Sequence, residues 1–246
     1  MVVPLENFIQ KAPSQFLAAS TPDGTKYVDM ILSIVDKTVS DDRSNESECR
    51  KALSLYMTIL HECTGMVDSL LPIINNITLA KLNQQTGNAS PLTRIQIFSV
   101  IGSCFYYSPQ LQLLELEKRN VTTQVFQQWM NDIELMDRWI PKKMTVLGIS
   151  AIFKLPTNIM PESLTVLLPK LLSVAATVCQ QMQEEAAKEE EVVGNGVANE
   201  DHWEDEDEGD GGFDENEDGT FFIVLLLNLQ LYILIMYTFV YSHKRS

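Results

Sequence analysis

Apolar residues recur at helical spacing from Thr25 to about Glu185, and no stretch shows the alternation of a half-buried strand. In "ECRKALSLYMTILHEC", one stripe runs from Cys49 to Cys63, and Gly65 follows as a stop signal. This pattern predicts an amphipathic helix. The same test predicts eight helices in all, near residues 25–39, 47–64, 67–85, 92–107, 109–118, 122–137, 141–154 and 161–186. Asn120 is expected to cap the helix that begins at 122.

A weak internal repeat appears when three helix starts are aligned: "RKALSLYMTI" at 50, "TRIQIFSVIG" at 93 and "KKMTVLGISA" at 142. Each places a base before an apolar stripe, namely Lys51, Arg94 and Lys143. The spacing is close to that of HEAT and armadillo repeats, whose helical hairpins bury their apolar faces only by stacking on neighbours. We therefore expect an all-α, HEAT/armadillo-like α-solenoid fragment; the alternative is a bundle without repeats. The expected repeat core contains Leu55, Tyr56, Ile59, Phe98, Tyr106, Trp129 and Leu147.

The charge divides the chain into three parts. The net charge is −15, and residues 184–218 hold 17 of the 33 acids with one base, Lys188. We expect helical repeats over 1–183, a disordered acidic segment over 184–219 and a hydrophobic tail over 220–246.

The acidic segment suggests a basic partner. Acids surround Trp203 and Phe213, whose rings can pack against the stems of lysine and arginine side chains while the carboxylates pair with their charges. The alternative is a solvated segment that only keeps the protein soluble. The expected binding residues are Glu200, Asp201, Trp203, Glu204, Asp205, Glu206, Asp207, Glu208, Asp210, Phe213, Asp214 and Glu215, and no direct contact with nucleic acid is expected.

The hydrophobic tail includes 21 uncharged residues, 221–241; a helix of that length would span about 31 Å, enough for a bilayer core of about 30 Å. One alternative function is therefore that of a tail-anchored membrane protein presenting a helical domain to the cytosol. The positive-inside rule conflicts with this orientation, because Lys244 and Arg245 follow the run. Two more interpretations of the run are a buried helix and the product of a translated intron or shifted reading frame.

No catalytic, cofactor or metal motif is visible, so an enzyme is not expected. Asp214 to Gly219 fits the first six positions of an EF-hand loop, but the twelfth position, which needs a bidentate glutamate, is Leu225. The four cysteines are widely spaced within apolar patterns and are expected to be buried and reduced.

Several stretches, in the same order and at similar spacing, resemble the C-terminal part of the importin-7/importin-8 family of the importin-β (karyopherin) superfamily. They are "TKY" at 25 with Met30-Ile31, "YYSP" at 106, "QWMND" at 128, and Lys143-Met144 with "VLG" at 146. The resemblance covers roughly residues 4–219.

The resemblance implies a HEAT-repeat receptor of cytoplasm and nucleus that carries basic cargo, of the histone or ribosomal-protein class, through nuclear pores and releases it to Ran. The family's principal Ran-contacting repeats lie toward the N-terminus and are not represented here. Ran binding and transport by this chain alone are therefore doubtful.

Overall fold

The computed structural model describes residues 2–84 and 91–194. Over these residues the chain is all-α, as predicted; a single isolated bridge joins Ser20 to Lys26. Three short 3-10 turns lie at Asp68–Leu70, Ile133–Leu135 and Thr157–Ile159. The ten α-helices are α1 (Val2–Lys11), α2 (Pro13–Ala18), α3 (Tyr27–Ser40), α4 (Glu46–Glu62), α5 (Leu71–Gln84), α6 (Pro91–Tyr107), α7 (Pro109–Lys118), α8 (Thr122–Asp132), α9 (Trp139–Ile152) and α10 (Glu162–Gly194).

The eight predicted helices correspond to α3 through α10. Helices α1 and α2 were not predicted, although Pro13 at the first position of α2 is a recognised start signal. Asn120 was wrongly expected to cap α8. Its backbone is left-handed, with φ 54°, and its N–H bonds to the Glu117 carbonyl at the end of α7. Asn120 therefore closes the C-terminus of α7, a place where asparagine tolerates this conformation.

Three helices form the centre of the molecule. Helix α6 packs extensively against α4 on one side and against α9 on the other, and these are the three helices whose starts align in the sequence. Helix α1 packs on α4, whereas α10 packs on α9 and α8. Helices α3, α5, α7 and α8 flank the central row. The packing is that of an α-solenoid-like fragment, with α1 and α10 contacting opposite ends of the row.

The central helices are held together by one continuous apolar core with an aromatic column in it. The ring of Trp129 on α8 stacks on Phe98 of α6 at 6.0 Å between centroids and on Phe126 at 5.9 Å. Its indole N–H donates to Thr145 Oγ1 of α9 over 3.2 Å. A single side chain therefore joins α8 to two of the three central helices, since the buried ring packs on α6 and its N–H group bonds to α9.

Most of the predicted core is buried. The residues expected there that are less than 5% exposed are Leu55, Tyr56, Ile59, Phe98, Trp129 and Leu147. Tyr106 was wrongly included, because it is 39% exposed. Its neighbour Tyr107 turns inward instead: the Tyr107 hydroxyl accepts from the Val67 N–H and donates to Asp68. These bonds hold the turn between α4 and α5, and burial together with Asp68 raises the pKa of Tyr107 to about 12.

Helix α10 continues beyond the expected domain boundary at residue 183 and ends at Gly194. One of its faces, from Leu164 to Met182, is buried against the rest of the protein. By length and composition alone, Glu162–Lys188 is also apolar enough to cross a membrane. Its buried stripe shows that it packs as a core helix of this fold. The remaining acidic segment and the hydrophobic tail, from residue 195 onward, lie outside the described residues.

Candidate binding surface

The N-terminal ends of α4, α6 and α9 each make a polar contact with another helix, and we call these three contacts together the polar edge. Glu46, the first residue of α4, accepts a hydrogen bond from the Thr93 N–H of α6 over 2.9 Å. Helix α4 itself begins with a capping box, in which Asn45 accepts from the Glu48 N–H and Glu48 accepts from the Asn45 N–H. The edge thus satisfies backbone donors that a helix start leaves free.

The next contact along the polar edge is a two-point ion pair. Arg94 of α6 donates through Nε to Asp132 Oδ2 at 2.8 Å and through Nη2 to Oδ1 at 3.1 Å. Asp132 ends α8, and both side chains are largely shielded from water. The pair has the planar, bidentate geometry in which an arginine–carboxylate contact is strongest. It fixes α8 against the start of α6.

The third contact of the polar edge involves α10. Lys142 in the first turn of α9 donates to Glu185 of α10, and the lysine side chain is almost completely buried. The aligned starts of the repeat singled out Lys143, but Lys142 is the residue that makes this buried contact. Because Glu185 is one of the first acids after residue 183, the ion pair ties the beginning of the acidic segment, which is still part of α10, to α9.

The twelve acidic and aromatic residues predicted to bind cargo, Glu200 through Glu215, lie outside the described residues. The polar edge itself was missed by the sequence reasoning. The sequence features that could have indicated it are a basic residue in the first turn of α6 and of α9 and an acidic residue at the end of α8. Only the fold shows that Arg94 meets Asp132 and that Lys142 meets Glu185 of α10.

The described residues contain no group of histidines, cysteines and acids placed to hold a metal. All four cysteines are free and buried. Burial raises the pKa of the thiols to about 12 at Cys104 and about 11 at Cys179 and Cys63, so they stay protonated and poorly nucleophilic at neutral pH. His61 is half exposed and lies beside Glu62.

The stacked helices and the polar edge define the class of protein as an all-α scaffold with α-solenoid-like packing. The chain is distantly homologous to importin-7, importin-8 and importin-β-like proteins. It is 22% identical over 225 residues to a probable importin-7 homolog of Dictyostelium discoideum, covering 88% of this chain and 21% of the relative. It is 27% identical over 199 residues to the importin beta-like SAD2 homolog of Arabidopsis thaliana, covering 77% and 19%.

Importin-8 of Danio rerio is 29% identical over 157 residues, covering 60% of this chain and 15% of the relative. The chain therefore spans about a fifth or less of the length of these relatives. No protein-family model matches the chain. No solved structure matches it either.

Proposed function

We propose that this chain is part of an importin-like nuclear transport receptor and acts as a cargo-binding scaffold, without enzymatic activity. The observation that carries the proposal is that α10 connects the helical scaffold to the acidic segment. Helix α10 packs into a stacked helical scaffold, is tied to it by Lys142 and Glu185, and leads directly into the acidic segment. Distant homology to importins over most of the chain supports the transport role.

The cargo we propose is a basic protein of the histone or ribosomal-protein class. Residues 195–219 hold twelve acids and no lysine or arginine, so their charge attracts lysine-rich chains. Contacts with Ran and with nuclear pore components belong to the proposed function of a complete receptor. Such a receptor moves between cytoplasm and nucleus.

The experiment is equilibrium binding of a lysine-rich core histone to the full chain at low and at moderate salt. In the test variant, the ten acids among the twelve predicted binding residues become asparagine or glutamine. Helix α10 and its Lys142–Glu185 pair stay intact, so the scaffold is unchanged. We expect loss of most of the affinity and of its dependence on salt, because the attraction is screened over about 10 Å at 0.1 M.

A matched control neutralises three exposed acids elsewhere, Asp29, Asp36 and Glu117, and should bind as the parent chain does. A second variant, Trp203→Ala with Phe213→Ala, tests the packing of rings on basic side-chain stems and should bind more weakly with the salt dependence retained. Equal affinity of the parent and the acid-neutralised chain at low salt would refute the proposal.

A further inference from the structure

Helix α3 presents a row of large apolar side chains to solvent, the α3 stripe. It consists of Tyr27, Met30 and Ile34, which are 37%, 41% and 48% exposed. Their spacing of three and then four residues places them on one side of the helix. The opposite side of α3 is buried in the core through its valines, Ile31 and Leu32. Helix α3 is therefore apolar on two faces, and only one of them has a partner within the described residues.

Among the described helices, α3 exposes the most large apolar side chains: α1 exposes two, whereas α5, α6, α7 and α10 expose one each. Helix α1 adds Val3 and Phe8, which are 53% and 39% exposed. At the other end, Val166 is the one large apolar side chain that α10 exposes among its described residues. Contiguous exposed apolar surface usually marks a site of contact. The α3 stripe is therefore the largest exposed apolar row on any described helix, and it lies on the α4 side of the central row, away from α10.

The same chain contains a long apolar segment, residues 221–241, whose chemistry matches that of the α3 stripe. Residues 221–241 carry no charge, and fourteen of them are phenylalanine, isoleucine, valine or leucine. As a helix they would be about 31 Å long, whereas the fourteen residues of α3 span about 21 Å. The segment is thus long enough to cover the α3 stripe completely and to extend onto neighbouring surface.

The connection is long enough for this contact. Helix α10 ends at Gly194, so residues 195–220 connect it to the apolar run. As a flexible coil these 26 residues would span about 28 Å, and fully extended about 86 Å. The path from α10 to α3 crosses four pairs of packed helices, through α9, α6 and α4. At about 8–10 Å between neighbouring helix axes, this path is roughly 30–40 Å long.

We propose that residues 221–241 pack in cis on the α3 stripe. The protein's own surface then keeps this apolar run out of membranes, while the acidic connection runs along the scaffold. The inference goes beyond cargo binding and is independent of it, because it concerns a different segment and a different surface.

The first test is flotation of the full chain with vesicles of phosphatidylcholine. The parent chain should stay in the dense fraction, since the apolar run is occupied. Ile34→Glu should release the run and make the chain float with the vesicles. The matched control is Ser33→Glu, an equally charged change at the neighbouring exposed position, which should leave the chain unbound. Flotation of the parent chain, or identical behaviour of the two variants, overturns the proposal.

The second test measures protection of the α3 stripe directly, in the absence of vesicles. Met30→Cys introduces a thiol into the stripe, and the four native thiols contribute little background because they are buried. We expect maleimide to react with this thiol about tenfold more slowly than in the same chain that also carries Leu226→Glu and Ile233→Glu. Ala80→Cys on α5 should react at one rate in both backgrounds. Equal rates for Met30→Cys in the two backgrounds overturn the proposal.

Discussion

Gly102 of α6 and Gly148 of α9 are in direct backbone contact. A Cβ atom on Gly148 would lie 2.7 Å from the Gly102 Cα and 2.9 Å from its carbonyl oxygen. A Cβ atom on Gly102 would lie 2.5 Å from the Met144 carbonyl oxygen. Neither glycine is in a left-handed conformation, so close approach is the reason for both. Helices α6 and α9 are able to pack this tightly only because both positions lack a side chain.

The first prediction concerns this helix crossing. Gly148→Ala should lower the free energy of unfolding by about 1–3 kcal/mol, because the added methyl group forces α6 and α9 apart. Gly102→Ala should act in the same direction, and the double variant should cost less than the sum, because both changes widen one contact. Urea unfolding of each variant measures these costs. Ser150→Ala, also on α9, is the control and should stay within about 0.5 kcal/mol of the parent. Unchanged stability of Gly148→Ala would show that the helices are not in backbone contact.

The second prediction concerns the Arg94–Asp132 pair of the polar edge. Asp132→Asn should lower the free energy of unfolding by about 1–3 kcal/mol, because the shielded guanidinium of Arg94 then lacks the Asp132 carboxylate. The exchanged pair, Arg94→Asp with Asp132→Arg, should recover part of the loss. Asp41→Asn removes an ion pair of similar spacing to Arg43, whose side chain is 90% exposed, and should change stability little. Similar unfolding midpoints for Asp41→Asn and Asp132→Asn would contradict a structural role for the edge.

The third prediction concerns a buried amide pair that joins α5 to α7. Asn75 Nδ2 donates to Gln112 Oε1 at 2.7 Å, and Gln112 Nε2 donates back to Asn75 Oδ1 at 2.9 Å. Asn75→Leu should lower the free energy of unfolding by about 1–3 kcal/mol, because the buried Gln112 amide then lacks the Asn75 amide as a partner. Replacing both residues by leucine should be less harmful than the sum of the single changes. A double-mutant cycle by chemical denaturation gives the coupling, and a coupling of zero would contradict the pairing.

The fourth prediction concerns the loss of folding stability at low pH. Hydrogen bonds from Lys118 and then from Arg119 hold the pKa of Glu115 below its ordinary value. The stabilisation is therefore complete above the unfolded-state pKa of about 4.5 and is lost as the pH falls through the lower folded-state pKa. Glu115→Gln should be less stable than the parent at neutral pH and should lose less on acidification. Urea unfolding at a series of pH values measures the difference.

The control for this series is Glu117→Gln, an exposed position on the same helix. It should show the same loss on acidification as the parent chain. If Glu115→Gln and Glu117→Gln show the same dependence of the free energy of unfolding on pH, the ion pairs of Glu115 do not contribute to the loss of stability at low pH.

Much of the fold was predictable because helical periodicity is a local property of the sequence. The eight predicted helices follow from stripes such as the one from Cys49 to Cys63, and the alignment of α4, α6 and α9 correctly indicated neighbours in space. The choice between Tyr106 and Tyr107 was not accessible in this way. Adjacent tyrosines at a helix end fit the same pattern, and only the position of Asp68 and Val67 decides which one is buried.

The contacts between helices could not be predicted for a related reason. Nothing near Gly102 in the sequence indicates that Gly148 lies against it, and Asp132 is thirty-eight residues from its partner Arg94. The limit of α10 was misplaced because its last acids carry the same composition as the segment that follows. A composition change therefore marks a change of charge and not the end of a helix.

Cargo binding through the acidic segment is best tested by zero-length carbodiimide cross-linking of the full chain to a lysine-rich core histone, with the joined carboxylates identified by mass spectrometry. The reaction joins only carboxylates and amines that are in contact. We expect the cross-links to concentrate between Glu200 and Glu215, with few at the acids of α1 to α9. Cross-links concentrated on those helices, with residues 200–215 unmodified, would contradict binding through this segment.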